Sequence, residues 1–93
     1  MELKKLNNLR KKIDKLDNKL LNTIKQRTNL VKKVIKLKKF KKQIVDKPRI
    51  YKVLKNVKKL SIRKNIDIKI TRKIWVSMIN SYIDYEKRNF NKK

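Results

Sequence analysis

Cysteine, histidine and glycine are absent from this sequence of 93 residues, and proline occurs once, at Pro48. Without cysteine there is neither a disulfide framework nor a thiolate metal site. Without histidine the commonest metal ligand and the usual proton shuttle are missing, which sets aside zinc chemistry and hydrolytic triads. Acids are scarce as well, with 7 Asp and Glu against 31 Lys and Arg. No apolar run approaches the roughly 20 residues that a membrane span needs, and the N-terminus lacks the apolar centre of a signal peptide. A soluble, cytoplasmic protein with no metal and no organic cofactor is expected. Any reaction it performs must run on Lys, Arg, a few carboxylates and hydroxyls.

The net charge of +24 invites a nucleic-acid reading, because a dense cation field attracts polyanions whatever their sequence. A compositional explanation competes with it. Lys, Asn and Ile share AT-rich codons, and a biased genome loads exposed helical positions with Lys without selecting for a partner. The absence of Gly fits the same bias, so the global charge carries little functional weight. More informative is which cations point inward.

Between Leu6 and Lys38 one helical stripe runs through Leu6, Leu9, Ile13, Leu16, Leu20, Ile24, Arg27, Val31, Val34 and Lys38, in steps of three and four. Two cations thus occupy a face that should be buried, and Arg10 flanks it. Cations on an apolar face without matching acids require an anion from elsewhere, and that anion reads as a substrate. The spacing predicts a first helix over about residues 4 to 39, about 50 Å long at ~1.5 Å per residue and too long to bury its stripe against its own short chain. A second helix is expected over about 47 to 64, with Asp46 as N-cap, Pro48 in the first turn, and Ile50, Val53, Leu54, Val57 and Leu60 inward. It should fade at Lys64-Asn65, where Asn stands in for a C-terminal Gly. A third is expected over about 69 to 89, with Ile70, Ile74, Trp75, Met78, Ile79, Tyr82, Tyr85 and Glu86 on one face. The connector from Lys39 to Val45 carries no specific turn residues. The expected fold is all-α: a single domain, 1 to 93, with one long and two shorter helices per chain. Two copies would intertwine as a six-helix homodimer in which the long helices pair.

The string Leu9-Arg10-x-x-Ile13-Asp14-x-x-Asp17-x-x-Leu20-Leu21, then Arg27, Val34-x-x-x-Lys38, Asp46-x-x-Arg49 and Ile74-Trp75-x-x-Met78-Ile79 resembles the all-helical class of chorismate mutases. The similarity covers about residues 3 to 88, with a connector one residue short. It implies a homodimer with two active sites, each built from both chains, that rearranges chorismate to prephenate in aromatic amino-acid biosynthesis. That reaction is a pericyclic shift of an enolpyruvyl side chain and needs no metal, cofactor, nucleophile or obligatory proton transfer. Catalysis comes from holding a flexible dianion in its reactive shape and from stabilising charge on the breaking ether oxygen.

Carried over by position, Arg27 grips one substrate carboxylate and Arg10 reaches across from the partner chain to a carboxylate. Lys38 lies against the ether oxygen as the main electrostatic catalyst. Asp46 accepts from the ring hydroxyl, or serves only as a helix cap, and Arg49 completes the cationic wall. Three positions depart from the family pattern. Ile50 stands where a Glu commonly follows the Arg of the second helix, and Tyr82 where a small polar residue contacts a carboxylate. Glu86 stands where Gln is frequent. A carboxyl group donates to an ether only when protonated, so turnover is expected to fall as the pH rises.

Two other classes fit parts of the sequence. A basic helical nucleic-acid-binding protein accounts for the charge but should interleave aromatics with exposed cations, whereas Trp75, Tyr82 and Tyr85 share an apolar stripe. A non-catalytic helical interaction module accounts for the stripe but not for Arg27 and Lys38 within it.

Overall fold

The computed structural model describes residues 1 to 90. Among these, all regular structure is helical: α1 (Glu2–Leu37), a single 3₁₀ turn (Lys41–Gln43), α2 (Lys47–Arg63) and α3 (Ile68–Asn89). The chain divides into two compact units, Met1–Lys33 and Val34–Lys93, so that the last turn of α1 belongs to the second.

The first unit is helix throughout. The amide of Lys5 already bonds to the carbonyl of Met1 at 3.1 Å, and Glu2 places an acid in the first turn, where the helix dipole favours it. This starts the helix two residues ahead of the expected position. Thr23 and Thr28 would be poor helix formers, but their hydroxyls donate back to the carbonyls of Lys19 and Ile24, at 3.1 and 2.8 Å. Arg27, Thr28 and Val31 are half-buried, and every other residue of this unit is exposed. The stripe from Leu6 to Ile24 shares this exposure, Leu16 being 62% exposed.

The second unit closes on itself. α1 ends at Leu37 rather than near residue 39 because the side chain of Gln43 intervenes. Its Oε1 accepts from the amides of Lys39 and Phe40 at 2.7 and 2.8 Å, two donors that a longer helix would have used internally. Lys38 is the last residue held by the helix, its amide shared between the carbonyls of Val34 and Ile35, both at 3.2 Å. The connector therefore does contain a specific turn device, carried by a side chain rather than by Gly or Pro.

Asp46 caps α2, its Oδ1 accepting from the amide of Arg49 at 3.1 Å, and Pro48 follows in the first turn. At the other end Asn65 takes φ 56°, the left-handed conformation. The amide of Ile66 bonds to the carbonyl of Ser61 at 2.9 Å and that of Asn65 to Ile62 at 3.2 Å, the paired closure of a Schellman motif. In a chain without glycine, Asn is the residue that occupies this conformation at least cost. Asp67 then caps α3 through the amide of Lys69 at 2.8 Å.

α2 and α3 pack together as a hairpin across this short turn. Near the turn their seam is polar: Ser61 and Thr71 are buried, with their hydroxyls 2.8 Å apart, and Ser61 Oγ also donates to the carbonyl of Val57 at 2.6 Å. Neighbouring helical positions point about 100° apart, so turning Ser61 and Thr71 inward leaves Leu60 and Ile70 outside the seam. Both are exposed, and so is Ile74, contrary to the expected core. Ile50, Val53, Leu54, Val57, Trp75, Met78, Ile79, Tyr82 and Tyr85 are half-buried. The buried apolar side chains are Ile35 and Ile44, which flank Lys38 in the sequence and were not among the expected core positions.

Candidate functional site

The second unit gathers chemistry around Lys38. The end of α1 delivers its ammonium to α3, where Nζ lies 2.8 Å from Oε1 of Glu86. Both side chains are largely shielded, at 18% and 10% exposure. The expectation that Lys38 sits on an apolar face without a matching acid is thereby corrected, because the acid comes from a residue 48 positions away. Such a pair persists in a shielded setting because each ion replaces part of the other's lost hydration. No buried side-chain polar atom among the described residues lacks a partner.

Beside the pair opens a cleft of about 580 Å³, lined by Lys38, Gln43, Val45, Asp46, Lys47 and Pro48. Its wall is the 3₁₀ turn and the start of α2. Asp46 both lines the cleft and caps α2, so the two roles expected for it are compatible. Capping uses Oδ1, and a carboxylate has lone pairs for more than one donor. Lys38, Asp46 and Glu86 are thus placed in one unit by three local devices: the Gln43 turn, the cap of α2 and the inward face of α3.

The other expected residues are placed differently. Arg49 contributes its backbone amide to the cap, its side chain is exposed, and it does not line the cleft. Ile50 is half-buried on α2, and Tyr82 is half-buried one turn before Glu86 on α3. In the first unit Arg10 is exposed on α1 and Arg27 is half-buried. Gln43 is a cleft residue that sequence reasoning missed. Its signal was faint, a lone amide side chain among the cations of the connector. Among the described residues no three His, Cys, Asp or Glu side chains come together as metal ligands would, and no helix is long and apolar enough to cross a membrane.

A cation held by one carboxylate and lining a cleft, with a second carboxylate in the same lining, suits recognition of a small anion that also carries hydroxyl groups. No curated protein and no solved structure matches the chain. The family model described as chorismate mutase type II matches residues 9–87, a span that includes Arg10, Arg27, Lys38, Asp46, Arg49 and Glu86. With most of its length matched, the chain belongs to the chorismate mutase type II family, isomerases that act on chorismate.

Proposed function

We propose that the cleft beside Lys38 is the active site for the rearrangement of chorismate to prephenate, and that it works in a homodimer. The observation that carries this reading is the placement of Lys38, half-buried, bonded to Glu86 and lining the same cleft as Asp46. An ammonium has three donors, and one is engaged by Glu86, which leaves two for the ether oxygen and a carboxylate of the substrate. As the ether C–O bond breaks and the new C–C bond forms in one cyclic shift, negative charge grows on the oxygen. A fixed cation there stabilises the transition state more than the ground state. Asp46 accepts from the ring hydroxyl through the lone pairs its cap does not use.

Arg27 grips one carboxylate and Arg10 a carboxylate from the second copy, with Arg49 adding positive potential nearby. Guanidinium suits these tasks because its planar fork matches a carboxylate with two hydrogen bonds. Tyr82 takes the place of the smaller polar residue and donates through its phenol. Support for the dimer is the exposed stripe of α1, where Leu9, Ile13, Leu16 and Leu20 are each more than half exposed in the single chain. A second α1 alongside would cover them and bring Arg10 to the other copy's site. The chain then acts as one mutase domain in the cytoplasm. Trp75, Tyr82 and Tyr85 are half-buried on α3, which suits packing better than base stacking.

The test is chorismate consumption by the purified protein, with prephenate identified as product and Lys38→Ala and Arg27→Ala run alongside. Loss of Lys38 should lower kcat/KM by about 10²–10³-fold, the usual cost of removing one preorganised donor. That substitution also strands the buried Glu86 carboxylate, at about 3 kcal/mol of stability. The double variant Lys38→Ala/Glu86→Gln removes that penalty and should refold without regaining turnover. Full activity in Lys38→Ala would sink the assignment.

A further inference from the structure

We infer that Gln43 is a positioning residue for catalysis, a side-chain clamp that sets where Lys38 stands relative to Glu86 and Asp46. The inference rests on the cleft being the active site. From Lys38 to Lys42 the connector reads Lys-Lys-Phe-Lys-Lys, with no Gly, Pro, Asn or Asp to bend it. The bend is nevertheless made, and one carboxamide makes it. Oε1 of Gln43 takes the amides of Lys39 and Phe40, while the backbone amide of Gln43 returns to the carbonyl of Phe40 at 3.0 Å. Without that acceptor those two amides would compete for the carbonyls of Ile35 and Lys36, and α1 would run on past Lys38 into the connector.

A further residue of α-helix turns the chain by 100° and advances it about 1.5 Å. The chain that follows Lys38, carrying Asp46 and leading to Glu86, would leave α1 in a different direction, so a shift of that size changes where the Lys38 ammonium, now 2.8 Å from Glu86, stands relative to both carboxylates. Gln43 also lines the cleft itself, together with Lys38 and Asp46. Its geometry requires an acceptor at the end of a side chain of this length. Glutamate supplies one, with an added negative charge, whereas leucine has similar bulk and none.

The experiment compares steady-state kinetics on chorismate for the full chain and for Gln43→Leu, Gln43→Glu and Lys38→Ala, with thermal melts of each. Gln43→Leu should lower kcat by about 10- to 100-fold, the effect of misplacing a catalytic group by about 1 Å. Gln43→Glu should keep kcat close to that of the parent and raise KM, because its charge repels the substrate's carboxylates while its oxygen still holds both amides. A fold-only role predicts a different pattern, a lowered melting temperature with kcat unchanged in Gln43→Leu, and that result overturns the inference. So does a Gln43→Glu variant that loses kcat as fully as Gln43→Leu. Should Gln43→Leu fail to fold, Gln43→Glu decides alone, by kcat retained with KM raised or by kcat lost. Lys38→Ala separates the two levels: an active Lys38→Ala removes the underlying site, while an inactive one beside a fully active Gln43→Leu removes the clamp alone.

Discussion

The two units of this chain are about equally rich in charged residues and stand in opposite states of completion. Met1–Lys33 is a helix whose apolar residues, apart from the half-buried Val31, are exposed along its length, while the unit from Val34 onward buries an ion pair, a hydroxyl pair and two isoleucines. Periodicity alone makes a helix, but only a turn that returns the chain makes a site. The second unit owns such turns, at Gln43 and Asn65. The first has none, and the complement proposed for its stripe is a second copy of the chain.

The sharpest way to break this contrast is a charge in the exposed stripe. Under the proposed dimer, Leu16→Asp should cost about 3 kcal/mol in each copy, the burial lost from one leucine together with the desolvation of a carboxylate. Sedimentation should then show monomer, and turnover should vanish with Lys38 and Glu86 untouched. A monomeric parent protein would remove the premise. Next in size is Glu86→Gln, which keeps the shape of the second unit and changes the chemistry of its buried acid. The amide still accepts a hydrogen bond from the Lys38 ammonium but carries no opposite charge, so Glu86→Gln should lower stability by about 2 kcal/mol in urea unfolding. A variant as stable as the parent would contradict it.

The hydroxyl pair offers a smaller perturbation. Ser61→Ala or Thr71→Val should each lower stability by about 1–2 kcal/mol by leaving one buried hydroxyl without its partner. The double variant should lose less than the sum, as measured by urea unfolding in a double-mutant cycle. Smallest is Asn65→Ala, at about 1 kcal/mol for forcing a Cβ without a polar side chain into φ 56°, against Asn65→Gly at no cost or a slight gain. An Asn65→Ala melt equal to the parent's would show that the turn relaxes.

Most of the helical framework was legible because its signals are local. Asp46 and Pro48 announce the start of α2, and Asn65 its end, through chemistry that acts within three or four residues. The unread features all depend on residues far apart or on a choice among neighbours. Ser61 and Thr71 look like surface residues until two helices are laid side by side, and only then do Leu60 and Ile70 turn out to be the outward pair. The stripe passed over Ile35 because Val34 matched its spacing equally well, yet Ile35 is the buried one. At the site, Lys38 and Glu86 were each marked by their position on a helix face. Their bond to one another was invisible, because 48 residues of chain path decide it. Gln43 was hidden for the converse reason: an amide can accept from many donors, and sequence does not say which two it will choose.

The separation of Lys38 from Glu86 also orders events in time. The Ser61–Thr71 contact closes a loop of 10 residues and the Lys38–Glu86 contact one of 48, a difference of about 1.4 kcal/mol in chain entropy before either contact is rewarded. The α2–α3 hairpin is therefore expected to form first, and the pair proposed for the active site to be among the last contacts to form. In refolding from denaturant, the helical circular dichroism signal should return ahead of mutase activity, and the lag between them measures how long the enzyme is folded in outline before it can work.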